Sequence, residues 1–386
     1  MRAGRHFLQI PGPTNVPDRV LQAIARPTID HRGPEFAALG RRVLTGLRQV
    51  FRTEQPVIVY PSSGTGAWEA ALVNTLSPGD AVLMYETGHF STLWSQMAGR
   101  LGLDVEVLAG DWRTGVDAGR IHDALTAAPD RYRAVAVVHN ETSTGVTSDV
   151  AAVRRALDEA GSDALLLADT ISSLGSIDYR HDEWGVDVTV CGSQKGLMLP
   201  PGLGFNAISA KARAATGKAR LPRSYWDWED MLATADDGFF PYTPATNLLY
   251  GLAEAIDLLL EEGLDQVFAR HDRHGEATRR AVEHWGLELL ATVPDQRSSA
   301  LTAVLLPEGH DADHFRRVAL ERFDVSLGAG LARLRGRVFR IGHLGDFNDL
   351  MLAGTLAGVE AALRLAGVPI KGGGVEAAMA YLAEQP

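Results

Sequence analysis

The sequence predicts an α/β protein: a large part built on a mostly parallel sheet, followed by a smaller α+β part. Two observations carry this. Short apolar runs alternate with helical patterns through the first half of the chain, and several of those runs end in polar, glycine-containing loops. Buried parallel strands read as continuous apolar runs, and α/β sheets place their ligand sites at the carboxyl ends of such strands.

The expected strands are 57–60, 81–85, 105–108, 135–138, 165–168 and 188–191. One intervening helix is clear: Ser148 is a candidate cap, Val150, Val153 and Leu157 form an apolar stripe, and Gly161 ends it. The charged and aromatic segment 220–228 breaks the rhythm ahead of Pro241-Tyr242-Thr243-Pro244. A long helix over 248–262 follows. Strand-like runs at 302–306 and 338–341, with a helix near 314–322, make up the smaller part. The expected division is an N-terminal arm over 1–20, a large domain over 21–262 and a small domain over 263–386, with the boundary near Gly263.

A chain of 386 residues that is 46% hydrophobic can bury a large core. Its net charge of −11 argues against a nucleic-acid surface. One cysteine, Cys191, excludes intramolecular disulfides and cysteine-based metal clusters; its place in an apolar run suits a small buried hydrophobe. The twelve histidines form no HExxH pattern, so no metal is expected. No apolar run approaches the roughly 18 residues of a membrane span. No apolar signal core follows the charged N-terminus, and the expected compartment is the cytoplasm.

Four features bear on chemistry. Lys195, in Gly192-Ser193-Gln194-Lys195-Gly196, follows the run 186–191, where an amine can form a Schiff base with an aldehyde cofactor. An ordinary turn lysine would occupy the same kind of place. Asp169 ends the run 164–168, twenty-six residues before Lys195. In a shared parallel sheet the two face one crevice. Pyridoxal phosphate needs that arrangement, because a carboxylate beside the pyridine nitrogen keeps it protonated and makes the ring an electron sink. A helix-capping aspartate would also sit here.

Third, Pro61-Ser62-Ser63-Gly64-Thr65-Gly66-Ala67 lies between a strand and a helix running through Trp68, Ala71, Leu72 and Thr75. Small residues at a helix N-terminus let the backbone approach a phosphate. The loop has neither GxGxxG nor GxxxxGK[ST] spacing, which disfavours a dinucleotide or nucleoside triphosphate, and a plain turn uses the same residues. Fourth, His139-Asn140-Glu141-Thr142-Ser143-Thr144-Gly145 offers hydroxyl and amide donors to a cofactor oxygen, or forms a polar loop without a ligand.

Taken in order, SSGTGAWE, GHFSTLW, HNETSTGV, LLLADTISS, CGSQKG, PYTP and FRIGHLG resemble the class V aminotransferases of the pyridoxal phosphate fold type I group, from about Pro11 to the C-terminal helix. PGPTNVP, DHRGPEF and FRIGHLG point to the branch that uses glyoxylate. The resemblance implies a seven-stranded large domain, pyridoxal 5'-phosphate as cofactor and a homodimer with shared active sites. It also implies transfer of an amino group from a small L-amino acid, serine first, to glyoxylate.

The same resemblance assigns roles. Lys195 holds the cofactor and moves the proton between Cα and C4′, while Asp169 faces the pyridine nitrogen. Thr65, Gly66 and Ala67 bind phosphate together with Gln194, Phe90 stacks on the ring, and Thr142 lies near the phenolic oxygen. Tyr242 and Thr243 reach the phosphate of the partner subunit, and Arg340 pairs with the substrate carboxylate, for which its planar fork is suited. In one departure, Thr170-Ile171 stands where relatives have Gly-Val, so the backbone there must avoid any conformation only glycine allows. His31 and Arg32 line the substrate pocket or make an N-terminal loop contact.

Three alternatives differ in chemistry. Alanine or aspartate would replace serine as donor. A lyase of desulfurase type needs a mobile reactive thiolate, and Cys191 is fixed on a strand. A silent cofactor-bound regulator would retain the fold, but it has no need of Lys195, Asp169 and Arg340 together.

Overall fold

Along the chain, strand β1 (Phe7–Gln9) and helices α1 (Asp18–Ile24) and α2 (Pro34–Phe51) come first in the computed structural model, which describes residues 4–385. Strand and helix then alternate: β2 (Val57–Pro61), α3 (Gly64–Thr75), β3 (Ala81–Tyr85), α4 (His89–Arg100), β4 (Asp104–Leu108), α5 (Ala118–Ala127) and β5 (Tyr132–Val138). A short hairpin, β6 (Asn140–Glu141) and β7 (Val146–Thr147), precedes α6 (Val150–Glu159), β8 (Leu165–Asp169), β9 (Val188–Gly192) and β10 (Leu203–Ile208).

Seven of these strands form one sheet in the order β2-β10-β9-β8-β5-β3-β4. All pairs are parallel except those of β10, which runs antiparallel to β2 and β9. All six expected strands are present, and β10 is the addition. Its polar Asn206 breaks the apolar pattern, yet is buried with its amide donating to Ala67 O and Thr189 O. Alternate residues supply two cores on opposite faces: Val135, Val137, Leu166 and Ala168 on one, Ala134, Ala136, Leu165 and Leu167 on the other.

The stripe Val150, Val153 and Leu157 of α6 is buried, and Gly161 follows its end with φ +63. The cap differs from expectation. Asp149 accepts from Ala152 N at 2.8 Å, while the Ser148 hydroxyl accepts from Val116 N of a neighbouring loop. Both residues suit a cap, and the tertiary contact decides between them.

Helices α7 (Ala210–Thr216), α8 (Trp228–Ala235), α9 (Thr246–Glu262) and α10 (Leu264–Trp285) follow, α9 and α10 meeting at Gly263 with φ +85. Then come β11 (Glu288–Leu289), β12 (Leu301–Leu305), α11 (Ala312–Phe323), β13 (Val325–Ala329), β14 (Val338–Gly342), α12 (Asp349–Leu365) and α13 (Gly374–Glu384). The second sheet has the order β1-β13-β14-β12-β11 and packs on a separate core that includes Phe315, Phe339, Leu352 and Val359.

The N-terminal arm therefore serves both sheets. Phe7, Leu8 and Gln9 pair in parallel with Val325, Ser326 and Leu327. Thr14 then donates its backbone N–H to Gln194 O at 3.1 Å and its hydroxyl to Lys195 O at 3.2 Å. Among the described residues, no helix is long and apolar enough to cross a membrane.

Candidate active site

The neighbouring parallel strands β8 and β9 carry Asp169 and Lys195 to the same sheet edge. Asp169 is in register with Val190, and Lys195 lies three residues past the end of β9. Both side chains are buried and line a cavity of about 190 Å³, together with Gly12, Ser63, Thr65, Trp68, Phe90, Asn140, Thr142 and Gln194. A larger cavity of about 300 Å³ beside α2, β2 and α8 shares no lining residue with it.

Burial and, after it, the charge of Arg340 bring the Lys195 amine down to about 7, against the opposing pull of Asp169 and Glu141. Its Nζ donates to the carbonyl of Pro11 in the N-terminal arm. Gly12 passes so close, at φ +90, that a Cβ there would lie 2.3 Å from Lys195 Cδ. Only glycine meets both conditions.

Asp169 accepts one hydrogen bond on each oxygen, from Ile171 N at 2.7 Å and from Trp68 Nε1 at 2.9 Å. Burial raises its carboxyl to about 7 despite those two donors and the Lys195 charge, and Glu141 adds to the rise. Neither Thr170 nor Ile171 has positive φ, so the departure from Gly-Val creates no backbone strain.

Ser63 precedes α3 without a side-chain cap, so the amides of Gly64, Thr65 and Gly66 have no partner within the helix. They form a donor cradle suited to a phosphate. Ala67 stands one step further in, fully buried, with its amide already bonded to Ser63 O. The Gln194 Oε1 is buried without a partner at the same cavity. Unspent backbone donors at the helix start, an amine of lowered proton affinity and a carboxylate on the same cavity fit a phosphorylated pyridine aldehyde.

Glu141 is fully buried after β5 and accepts from Phe90 N, Ser91 N, Ser143 N and Ser143 Oγ. It thereby fixes the first turn of α4 and with it the Phe90 side chain. Arg340, on β14, donates from Nη1 to Thr142 O and from Nε to Ala329 O. Burial brings it down to about 10, with Glu141 opposing.

Some predicted residues lie elsewhere. Tyr242 donates its hydroxyl to Val59 O and stacks on Tyr225, centroids 4.8 Å apart, while Thr243 is exposed; neither lines this chain's cavity. His31 and Arg32 do not line it either. Cys191 is buried on β9, its thiol pushed far up by burial, which removes it as a nucleophile. Trp68, Gly12 and Glu141 were not assigned from sequence. Trp68 read as one more core residue of a helical stripe.

The model of the family described as "Aminotransferase class-V" matches residues 6–334. The serine–glyoxylate aminotransferase of Methylorubrum extorquens is 50% identical over 393 aligned residues, covering 100% of this chain and 98% of that protein. The L-aspartate–glyoxylate aminotransferase of Paracoccus denitrificans is 48% identical, with 96% and 95% covered. Among solved structures, pyridoxamine–pyruvate aminotransferase from Mesorhizobium loti superposes with a TM-score of 0.93 at 28% identity, over 100% of this chain and 98% of that one. With the match running through both sheets and the lysine and aspartate facing one cavity, this chain belongs to the class-V aminotransferases.

Proposed function

We propose that the protein, as a cytoplasmic homodimer, transfers the amino group of a small L-amino acid, serine first, to glyoxylate, giving glycine and a 2-oxo acid. The observation that carries the reading is the placement of Lys195 and Asp169 on one cavity beside the open amides of α3. Pyridoxal phosphate, when bound, supplies an aldehyde that takes up the amino group and a ring that withdraws electrons from Cα.

The chain's own residues do the rest. Lys195, with a proton affinity near neutrality, is both the attachment point and the base that takes the Cα proton and returns it. Asp169 supplies the negative charge for the ring nitrogen. Gly64, Thr65, Gly66 and Gln194 hold the phosphate, Phe90 covers the ring, and Thr142 lies by the phenolic oxygen. Arg340 receives the carboxylate common to donor and acceptor. Tyr242 and Thr243 complete the phosphate site of the partner subunit.

The test is a half-reaction panel. Purified protein loaded with pyridoxal phosphate is mixed with serine, alanine or aspartate, and the cofactor absorbance is followed. Serine should bleach the band and glyoxylate restore it. Aspartate is the second donor to compare, because a 48% identical relative takes its name from it. Absence of a covalent chromophore, or a band indifferent to every amino acid, overturns the reading.

A further inference from the structure

Trp68 lies on α3 with its indole buried and stacked on Trp94, ring centroids 5.8 Å apart and planes 12° from parallel. The two tryptophans differ in one respect. Trp68 Nε1 donates to Asp169 Oδ2 at 2.9 Å, whereas Trp94 Nε1 is buried without a partner. With Ile171 N on Oδ1 at 2.7 Å, the Asp169 carboxylate is held through both oxygens. A carboxylate has about four acceptor sites, so two donors leave room for a third on the cavity side.

We propose that the Trp68 indole N–H is the positioning contact that aims the Asp169 carboxylate at the cofactor's ring nitrogen and preserves its negative charge. This rests on the cofactor reading above. Burial works against that charge, and a neutral acid has no counter-charge to give a pyridinium. The groups facing Asp169 are few: Lys195 beyond β9, Glu141 beyond β5, and the protonated thiol of Cys191. Lys195 supports the negative charge and Glu141 opposes it. The two N–H donors therefore supply the stable part of the support, and only the indole does so from a side chain.

Trp68→Phe keeps the buried ring and removes the N–H. In this variant, loaded with pyridoxal phosphate labelled with nitrogen-15 in the ring, the nitrogen signal should move from the protonated toward the neutral position. Its midpoint in a pH titration should fall. The rate of Cα proton removal should drop about ten- to a hundredfold, the range expected for losing one hydrogen bond to a charged group. Michaelis constants for the donors should change little. Trp94→Phe, which makes the same replacement of indole by phenyl in the same stack but removes no hydrogen bond, should leave the nitrogen signal where it is.

A Trp68→Phe protein with a wild-type ring-nitrogen signal overturns the proposal, as does a Trp94→Phe protein that moves the signal equally. Should Trp68→Phe not fold, indole-labelled wild type is compared with Asp169→Asn. One of the seven tryptophan signals must move, and none moving overturns the contact. Failure of the reading beneath it is distinguishable: wild type would then show no covalent chromophore and no response to amino acids.

Discussion

The guanidinium of Arg340 reaches Thr142 O at 2.6 Å and Ala329 O at 2.8 Å, so one side chain joins the second sheet to the loop after β5. Arg340 is thus a brace as well as a charge.

Arg340→Ala should raise the Michaelis constants for both serine and glyoxylate, costing about 2–5 kcal/mol in kcat/KM, as when one member of a buried charge pair is removed. It should also lower the melting temperature, because two backbone carbonyls lose their donor. Arg340→Lys should restore charge but not both bonds, and so rescue only partly. Steady-state kinetics with each substrate varied in turn, alongside thermal melts, check this. An effect on serine that spares glyoxylate would place the arginine against a side chain instead.

In the cofactor-free protein, Asp169 is raised from 3.8 to about 7, so the folded state holds the extra proton between those values and stability falls as pH rises through that window. Lys195 is lowered from 10.5 to about 7, so the unfolded state holds the extra proton there and stability rises between about 7 and 10.5. Buried histidines held well below their ordinary value, His139, His181 and His271 among them, push stability the opposite way below about 6.5, so the informative quantity is a difference between proteins. The wild-type denaturant midpoint minus that of Asp169→Asn should fall as pH rises toward 7, and the wild-type midpoint minus that of Lys195→Met should rise above 7. A difference that stays constant with pH contradicts the corresponding shift.

Gly12→Ala places a methyl group on the lysine side chain, at a φ of +90 that costs a non-glycine residue about 1–3 kcal/mol. Displacement of the amine should lower turnover about a hundredfold, the scale of a 1 Å misplacement. Circular dichroism should stay near wild type. Full cofactor attachment at a normal rate would show that the arm yields without disturbing Lys195.

Glu141→Gln leaves four donors facing one acceptor oxygen and an amide. The expected loss is about 1–3 kcal/mol of stability, the cost of buried groups left unpaired. Because Glu141 supports the charged form of Lys195, the lysine's titration should move still lower. Urea unfolding and the pH dependence of cofactor attachment report the two effects separately.

Much of the architecture is legible because apolar runs such as Leu165–Asp169 are buried on both faces and so carry a strong signal. The antiparallel β10 is not, since Gly204 and Asn206 interrupt its pattern and only the fold supplies partners for that amide. Asp169 is readable because it ends a strand, and Lys195 because it follows closely on one. Trp68 and Gly12 are hidden for the opposite reason. An indole at core spacing gives no sign that its N–H meets a carboxylate far along the chain, and a glycine in a Pro-Gly-Pro turn gives no sign of the lysine beside it.

The arm has a consequence for biogenesis. Phe7–Gln9 is synthesised more than three hundred residues ahead of its partner strand, which begins at Val325. A nascent chain that has already exposed Lys195 still lacks the strand that anchors the arm, and with it the firm seat for the Pro11 carbonyl and Gly12 against the amine. The lysine's final surroundings are therefore completed only after translation has passed Ala329, so a chain that already includes β13, rather than a shorter growing one, presents Lys195 in its finished setting.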